Sequence, residues 1–146
     1  MYGIIPRPLW SRNSPPDELN RIDLDLRLML IQTADRNILI DTGIGDYHGE
    51  TFDERFAVQG APQHIKTVLE ELKLSVDDIT DLIISHLHFD HAGGICIVSN
   101  EGEIAPTFPK ATLHLHKSHY HYSLSPTQRD SGSFHKKYFA PIVDFY

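Results

Sequence analysis

Residues 82–94 carry the strongest indications of fold and chemistry in this chain, and they read LIISHLHFDHAGG. The apolar residues 82–84 predict a short interior strand, because a continuous apolar run between polar neighbours is typical of a strand buried on both faces. Three histidines and an aspartate follow within six positions, and two glycines end the stretch. These polar residues lie just beyond the carboxyl end of the predicted strand, where open α/β sheets build their sites.

The spacing of the histidines and the aspartate favours metal binding. While the chain stays extended, residues two apart point to the same side, so His86, His88 and Asp90 share one side. A turn at the glycines can bring His91 round to them. Neutral imidazoles and a carboxylate suit Zn²⁺, and also Mn²⁺ or Fe²⁺. We therefore predict that these four residues are metal ligands; the alternative is a histidine-rich loop without a ligand role.

Two further strands are predicted upstream. Apolar and polar residues alternate from Ile22 to Leu30, and this period of two predicts β structure over residues 21–32. Residues 38–40 form a second, wholly apolar strand, and the polar run 33–37 between the two predicts a turn. Together these segments predict a hairpin.

The second strand ends in Asp41-Thr42-Gly43, whose simplest interpretation is a strand-ending turn. The aspartate has a functional interpretation as well. Its carboxylate could accept the far N–H of a ligand histidine and so fix the tautomer and direction of that ring.

The rest of the chain predicts helices and strands in alternation, which indicates an α/β fold with helices covering a sheet. The predicted elements are a helix with Pro62 in its first turn and Ile65, Val68, Leu69 and Leu72 on its buried face, a brief helical turn starting at Ser75, a strand over residues 111–116, a weak helix over residues 117–124, and loops over residues 3–17 and 102–109.

Composition narrows the class of protein. The 146 residues allow one domain or part of one, and 40% hydrophobic with 23% charged residues is typical of a globular chain. We found no apolar run long enough for a membrane helix and no secretory signal, so we expect a cytoplasmic protein without a membrane partner. The net charge of −7 argues against a nucleic-acid partner. Cys96 is the single cysteine, so any metal must be held by His, Asp or Glu.

A second group of histidines lies at positions 114, 116, 119 and 121. It could form another metal site, or it could be a solvated strand edge that runs into an amphipathic helix. We favour the second interpretation, because no carboxylate lies among these histidines.

The motif residues resemble a known family. The segment HLHFDHAGG after an apolar strand, with Asp41-Thr42-Gly43 upstream, resembles the metal-binding signature of the metallo-β-lactamase fold. Residues 2–6, 9–10, 17–21 and 106–109 are similar to the branch that includes N-acyl homoserine lactonases.

This resemblance implies half of an αββα sandwich, with a mixed sheet and covering helices, and a dinuclear zinc-type site. It implies that His86 and His88 bind one metal and Asp90 and His91 the other, with Asp41 supporting them. A hydroxide between the metals would attack the carbonyl of a lactone, an ester or a related acyl substrate. Asp90 would orient that hydroxide and is the predicted catalytic residue.

In the family, the remaining ligands come from sequence that follows the region matching residues 111–146. We therefore expect residues 1–146 to be a single partial domain, the amino-terminal metal-site half. Its uncovered apolar face predicts either a homo-oligomer or a missing complementary half. Two alternatives stay open, namely a non-catalytic fragment that binds metal or self-associates, and an iron-dependent oxidoreductase on the same scaffold.

Overall fold

A mixed sheet organises the protein in its computed structural model, which describes residues 2–60 and 64–143. The strands are β1 (Met29–Gln32), β2 (Asn37–Ile40), β3 (Asp81–Ile83), β4 (Cys96–Val98), β5 (Ile104–Pro106) and β6 (Thr112–His114). Four of them form one sheet in the order β1-β2-β3-β6, and β4 pairs with β5 in a separate antiparallel ribbon. Within the large sheet β1 is antiparallel to β2, whereas β2, β3 and β6 are parallel.

Short helices connect and cover these strands. They are α1 (Arg7–Trp10), α2 (Glu50–Phe56), α3 (His64–Glu71), α4 (Phe89–Ala92), α5 (Lys117–Leu124) and α6 (Lys136–Val143). The predicted α/β fold with a mixed sheet and helices is thereby confirmed. None of the helices in the described ranges has the length and apolar character that crossing a bilayer requires.

The two central strands carry the core. Leu39 of β2 pairs in register with Leu82 of β3, and both side chains are buried. The predicted strand 82–84 is confirmed with a shift of one residue. The other members of the core cluster lie between Leu69 and Ile142, and the largest of those fully buried are Leu69, Ile79, Leu87, Ile95, Phe108 and Ile142.

The predicted hairpin is confirmed, but the predicted first strand is too long. It begins only at Met29, so the prediction is wrong for residues 21–28. Leu24 and Leu26 are 54% and 41% exposed. Alternation gives a strand only where a neighbouring strand takes up the backbone hydrogen bonds, and the pairing of β1 with β2 stops at Met29.

The helix α3 is confirmed in part. Leu69 lies in the core, whereas Leu72 falls beyond the helix end and is 53% exposed, so its predicted burial is wrong. Pro62, predicted in the first turn, lies outside the described residues. The helical turn after α3 is a 3-10 turn closed by reciprocal hydrogen bonds between Ser75 and Asp78.

Later segments follow the predictions with shorter elements. The strand predicted over residues 111–116 is the three-residue β6, and α5 spans the predicted residues 117–124. The predicted loops are wrong in two places, since α1 lies within residues 3–17 and β5 within residues 102–109. Both elements have four residues or fewer, too few to produce a periodic pattern.

Candidate metal centre

The segments that follow β2 and β3 meet at one edge of the sheet. Parallel strands bring their carboxyl ends together, so Asp41 after β2 lies beside the motif after β3. The pairing continues past the strand ends, because the Asp41 N–H donates to the carbonyl of Ile83 at 2.9 Å. Farther on, the backbone N–H of Thr42 donates to the carbonyl of His91 at 2.7 Å.

Two motif glycines permit this close approach. A Cβ atom at Gly93 would lie 2.0 Å from the carbonyl oxygen of Ile44, and one at Gly94 would lie 2.4 Å from that of Thr42. Backbone atoms cannot yield at such distances as the end of a flexible side chain can. The two segments can therefore pack only with glycine at these positions.

The local shape of the motif differs from the predicted extended run. His88 is the last residue in extended conformation, with φ −68° and ψ 150°, and the helix α4 begins at Phe89. Asp90 and His91 are thus helical, and it is this helical turn, not a bend at the glycines, that turns His91 back. The expectation that Asp90 continues the extended alternation is wrong.

The four predicted ligands lie close together. The ring centroids of His86 and His91 are 4.0 Å apart, and those of His86 and His88 are 4.5 Å apart. Nε2 of His91 lies 3.6 Å from Oδ2 of Asp90. The imidazoles contact one another, and no group of three or more His, Cys, Asp or Glu residues in the described ranges is already arranged as a metal-binding set.

The carboxylate of Asp41 contacts both Ser85, which precedes the motif histidines, and His91. Its Oδ1 accepts the backbone N–H of Ser85 at 2.8 Å, and its Oδ2 accepts the Ser85 hydroxyl at 2.8 Å. The same Oδ2 lies 2.9 Å from Nδ1 of His91. Asp41 adopts a left-handed φ of 59°, a conformation that aspartate tolerates better than most residues. With Nδ1–H bonded to the carboxylate, Nε2 is the nitrogen of His91 left for another partner.

Electrostatics at the centre favour neutral imidazole at His86. Burial lowers the pKa of His86, and the nearby charges of His91 and His88 lower it further. Neutral imidazole is the form that ligates metals.

A cleft of about 290 Å³ lies beside the centre. Its lining includes Asp41, Asp90 and His91, together with residues 24–28 of the extended segment before β1. The predicted ligands Asp90 and His91 and the exposed Leu24 and Leu26 therefore line the same cleft.

The second histidine group does not act as a unit. His114 pairs with Asp81, its Nε2 2.8 Å from Oδ1, on the sheet. His116 and His121 are exposed, as the solvated interpretation expects. His119 departs from it, because it is half-buried and its Nε2 accepts the backbone N–H of Leu87 at 2.8 Å. Sequence spacing could not distinguish this histidine from its neighbours on α5.

An aromatic cluster borders the motif on another side, and the sequence did not indicate it. The ring of Phe89 stacks on His135 at 5.1 Å and meets Phe52 edge-on at 5.2 Å. Within this cluster Nδ1 of His48 and Nδ1 of His135 are 3.2 Å apart. Most of the cluster lies on or beside α2 and α6, two helices that are not among the elements predicted from the sequence.

Most of the chain matches a protein-family model. Residues 28–139 match the family model described as the metallo-beta-lactamase superfamily. The chain belongs to this superfamily. The match contains Asp41 and the whole motif as far as Gly94, so the candidate centre lies within the family region.

The chain is similar in sequence to curated lactonases. The chain is 33% identical over 99 residues to an N-acyl homoserine lactonase of Bacillus cereus, a match that covers 62% of the chain and 40% of that protein. It is 37% identical over 83 residues to N-acyl homoserine lactonase AiiB of Agrobacterium fabrum, which covers 49% of the chain and 29% of that protein.

Solved structures resemble the chain as well. A probable metal-dependent hydrolase from Staphylococcus aureus matches with a TM-score of 0.78 and 32% identity, over 90% of the chain and 46% of that protein. AidC, a dizinc quorum-quenching lactonase in complex with a product, matches with a TM-score of 0.52 and 27% identity, over 70% of the chain and 30% of that protein. The chain spans less than half the length of each of these four proteins.

Proposed function

We propose that this chain carries part of the active site of a metal-dependent hydrolase that acts on a lactone, an ester or a related acyl compound. The observation that carries the proposal is the contact between Asp41 and His91, within a group of three imidazoles at the carboxyl edge of the sheet. A carboxylate behind a histidine is the usual partner of a ligand histidine. The lactonase relatives supply the proposed class of substrate.

The donor set fits a borderline divalent cation. We assign His86 and His88 to one metal and Asp90 and His91 to a second, with zinc as the proposed metal and Mn²⁺ or Fe²⁺ as other ions that such donors accept. Since the rings now contact one another, binding would require the imidazoles to turn about their side-chain torsions.

The chain's own residues have distinct proposed roles. When bound, the divalent cation supplies Lewis-acid polarisation of the substrate carbonyl and makes water more acidic. Asp90, which borders the cleft, is proposed to accept a hydrogen bond from the attacking water and orient it. Asp41 holds His91 in one tautomer, so that Nε2 of His91 stays directed toward the Asp90 side.

The cleft gives the substrate a proposed path to these residues. Leu24 and Leu26 line it and are exposed, which suits an apolar acyl portion, while Asp90 and His91 border the reacting end. Hydrolysis would add one water across the acyl C–O bond, giving a single hydroxy acid from a lactone and a carboxylic acid with an alcohol from an ester.

The chain spans less than half the length of its relatives, so hydrolysis by the complete protein is part of what we propose. We propose that residues 1–146 act as a single partial domain, completed by a second copy or by a complementary half. The cytoplasmic location and the lack of nucleic-acid and membrane partners stay predictions from the sequence.

Zinc titration tests the metal centre. Calorimetry would compare the full chain with the double variant His86→Ala/His88→Ala, and with the matched control His116→Ala/His121→Ala, which removes two exposed imidazoles. We expect zinc binding by the full chain and the control, and its loss in the first variant. Equal binding by all three proteins would contradict the proposal.

Two further measurements separate the proposal from its alternatives. Metal analysis of protein grown without added zinc would reveal iron if the scaffold serves an oxidoreductase. Sedimentation combined with a screen of lactones and nitrophenyl esters at saturating Zn²⁺ addresses the non-catalytic alternative. Hydrolysis that is lost in Asp90→Asn supports the proposal, whereas a self-associated protein without hydrolysis favours the non-catalytic alternative.

A further inference from the structure

We propose that His119 of α5 is a positioning residue, which holds the metal-binding motif through the backbone N–H of Leu87. The part of this inference that concerns metal affinity rests on the proposed function. The effect of His119 on the backbone of the motif follows from the hydrogen bond alone, and it can be tested in the protein without added metal.

The hydrogen bond lies at the middle of the motif. The Leu87 N–H donates to Nε2 of His119 at 2.8 Å, across 32 positions of sequence. Leu87 separates His86 from His88, and its own side chain is 1% exposed within the core. One imidazole therefore fixes the peptide plane between two proposed ligands.

Packing keeps His119 in place for this bond. Its ring centroid lies 5.9 Å from that of Phe134, a buried residue. The ring of Phe134 also meets His88 nearly edge-on at 4.6 Å. His119 and His88 therefore contact the same aromatic ring. A shift of α5 would change the packing of Phe134 against both histidines.

The same geometry separates His119 from the proposed ligands. Its Nε2 is already engaged as an acceptor, and its ring centroid is 6.3 Å from that of His86, compared with 4.0 Å between His86 and His91. A side chain in this arrangement acts on the metal through the backbone of the motif. Hydrogen bonds that orient ligands from outside are typically worth about 10-fold to 100-fold in metal affinity.

The test compares His119→Ala, His119→Gln and the control His121→Ala in the full chain. Zinc affinity would be measured by competition with a chromophoric chelator, and the exchange rate of the Leu87 amide by NMR without added metal. Glutamine offers a side-chain oxygen that can accept the Leu87 N–H, whereas alanine leaves that N–H without an acceptor. His121 is exposed on the same helix, so its removal controls for the loss of one imidazole.

We expect His119→Ala to weaken zinc binding about tenfold and to accelerate exchange of the Leu87 amide. His119→Gln should recover most of both, and His121→Ala should alter neither. Slow Leu87 exchange in His119→Ala would overturn the positioning role. Loss of zinc binding in both His119 variants, with Leu87 still protected in His119→Gln, would also overturn it, since that result identifies a direct ligand. Failure of the unsubstituted chain to bind zinc contradicts the proposed function alone, because the exchange rates still test the hydrogen bond.

Discussion

Oδ2 of Asp41 lies 2.9 Å from Nδ1 of His91, although fifty positions of sequence separate the two residues. This contact joins the turn after β2 to the helical turn after β3. Asp41 has a left-handed φ of 59°, and its carboxylate also accepts two hydrogen bonds from Ser85. Backbone strain of this kind occurs mostly at functional sites, which agrees with a role for Asp41 in directing His91.

The first prediction concerns that carboxylate. Asp41→Asn keeps a residue type that tolerates positive φ and keeps one oxygen for the Ser85 N–H, but it cannot satisfy both Ser85 and His91 as two carboxylate oxygens do. We expect zinc affinity to fall between about 10-fold and 100-fold while the circular dichroism spectrum stays unchanged. Asp35→Asn, in the turn at the opposite end of β2, is the charge-matched control and should bind zinc normally.

The second prediction concerns the glycines that let the two segments touch. Gly94→Ala would put a Cβ atom 2.4 Å from the Thr42 carbonyl oxygen, so the turn after β2 must move away from the motif. We expect a loss of about 3 kcal/mol or more in the free energy of unfolding, measured by urea denaturation. Gly132→Ala meets nothing within 4 Å and should change the stability by less than about 0.5 kcal/mol. Similar losses in both variants would contradict this account.

Much of the central sheet could be predicted from the sequence. Residues 38–40 and 82–84 are continuous apolar runs between polar neighbours. Such strands can be predicted from the local sequence without knowledge of their distant contacts. The motif was recognisable for the same reason, since its ligand-type residues are neighbours in the chain. These are the parts of the fold that short-range pattern determines.

The remainder depends on contacts between distant residues. Residues 21–28 alternate well, yet the hydrogen bonds of that segment depend on a neighbouring strand, which no local pattern reveals. The role of His119 likewise depends on where α5 lies against Leu87. The pairing of His48 with His135 spans 87 positions, so no local pattern reveals it.

The third prediction concerns the centre of the core. Leu82 is fully buried in β3 and pairs in register with Leu39, so Leu82→Ala leaves a cavity beside Leu39 in the core that packs on the sheet. We expect a loss of about 2–5 kcal/mol in the free energy of unfolding, measured in urea. Leu72→Ala makes the same chemical change at an exposed position beyond α3 and should cost less than about 0.5 kcal/mol. A comparable cost at both positions would mean that β3 does not lie in the core.

The last prediction concerns pH and the two paired histidines. Nε2 of His48 lies 2.6 Å from the carbonyl of Ile44 and donates to it, so its Nδ1 is the acceptor that faces His135. Burial lowers the pKa of both histidines, and for His48 it outweighs the hydrogen bond to the Ile44 carbonyl and the nearby carboxylates, which act in the opposite direction. The unfolded chain therefore binds more protons as pH falls below about 6.5, and the free energy of unfolding should decrease from there toward about pH 5.

Urea denaturation at a series of pH values between about 5 and 8 checks this slope. The double variant His48→Phe/His135→Phe keeps aromatic volume but cannot take up protons, so its stability should decrease less steeply below about pH 6.5 than that of the unsubstituted chain. Phe52→Leu is the packing control, because its ring lies 4.1 Å from that of His48 and carries no titratable group. We expect Phe52→Leu to lower the stability equally at every pH. An identical slope in the double variant would mean that the pair does not contribute to acid sensitivity.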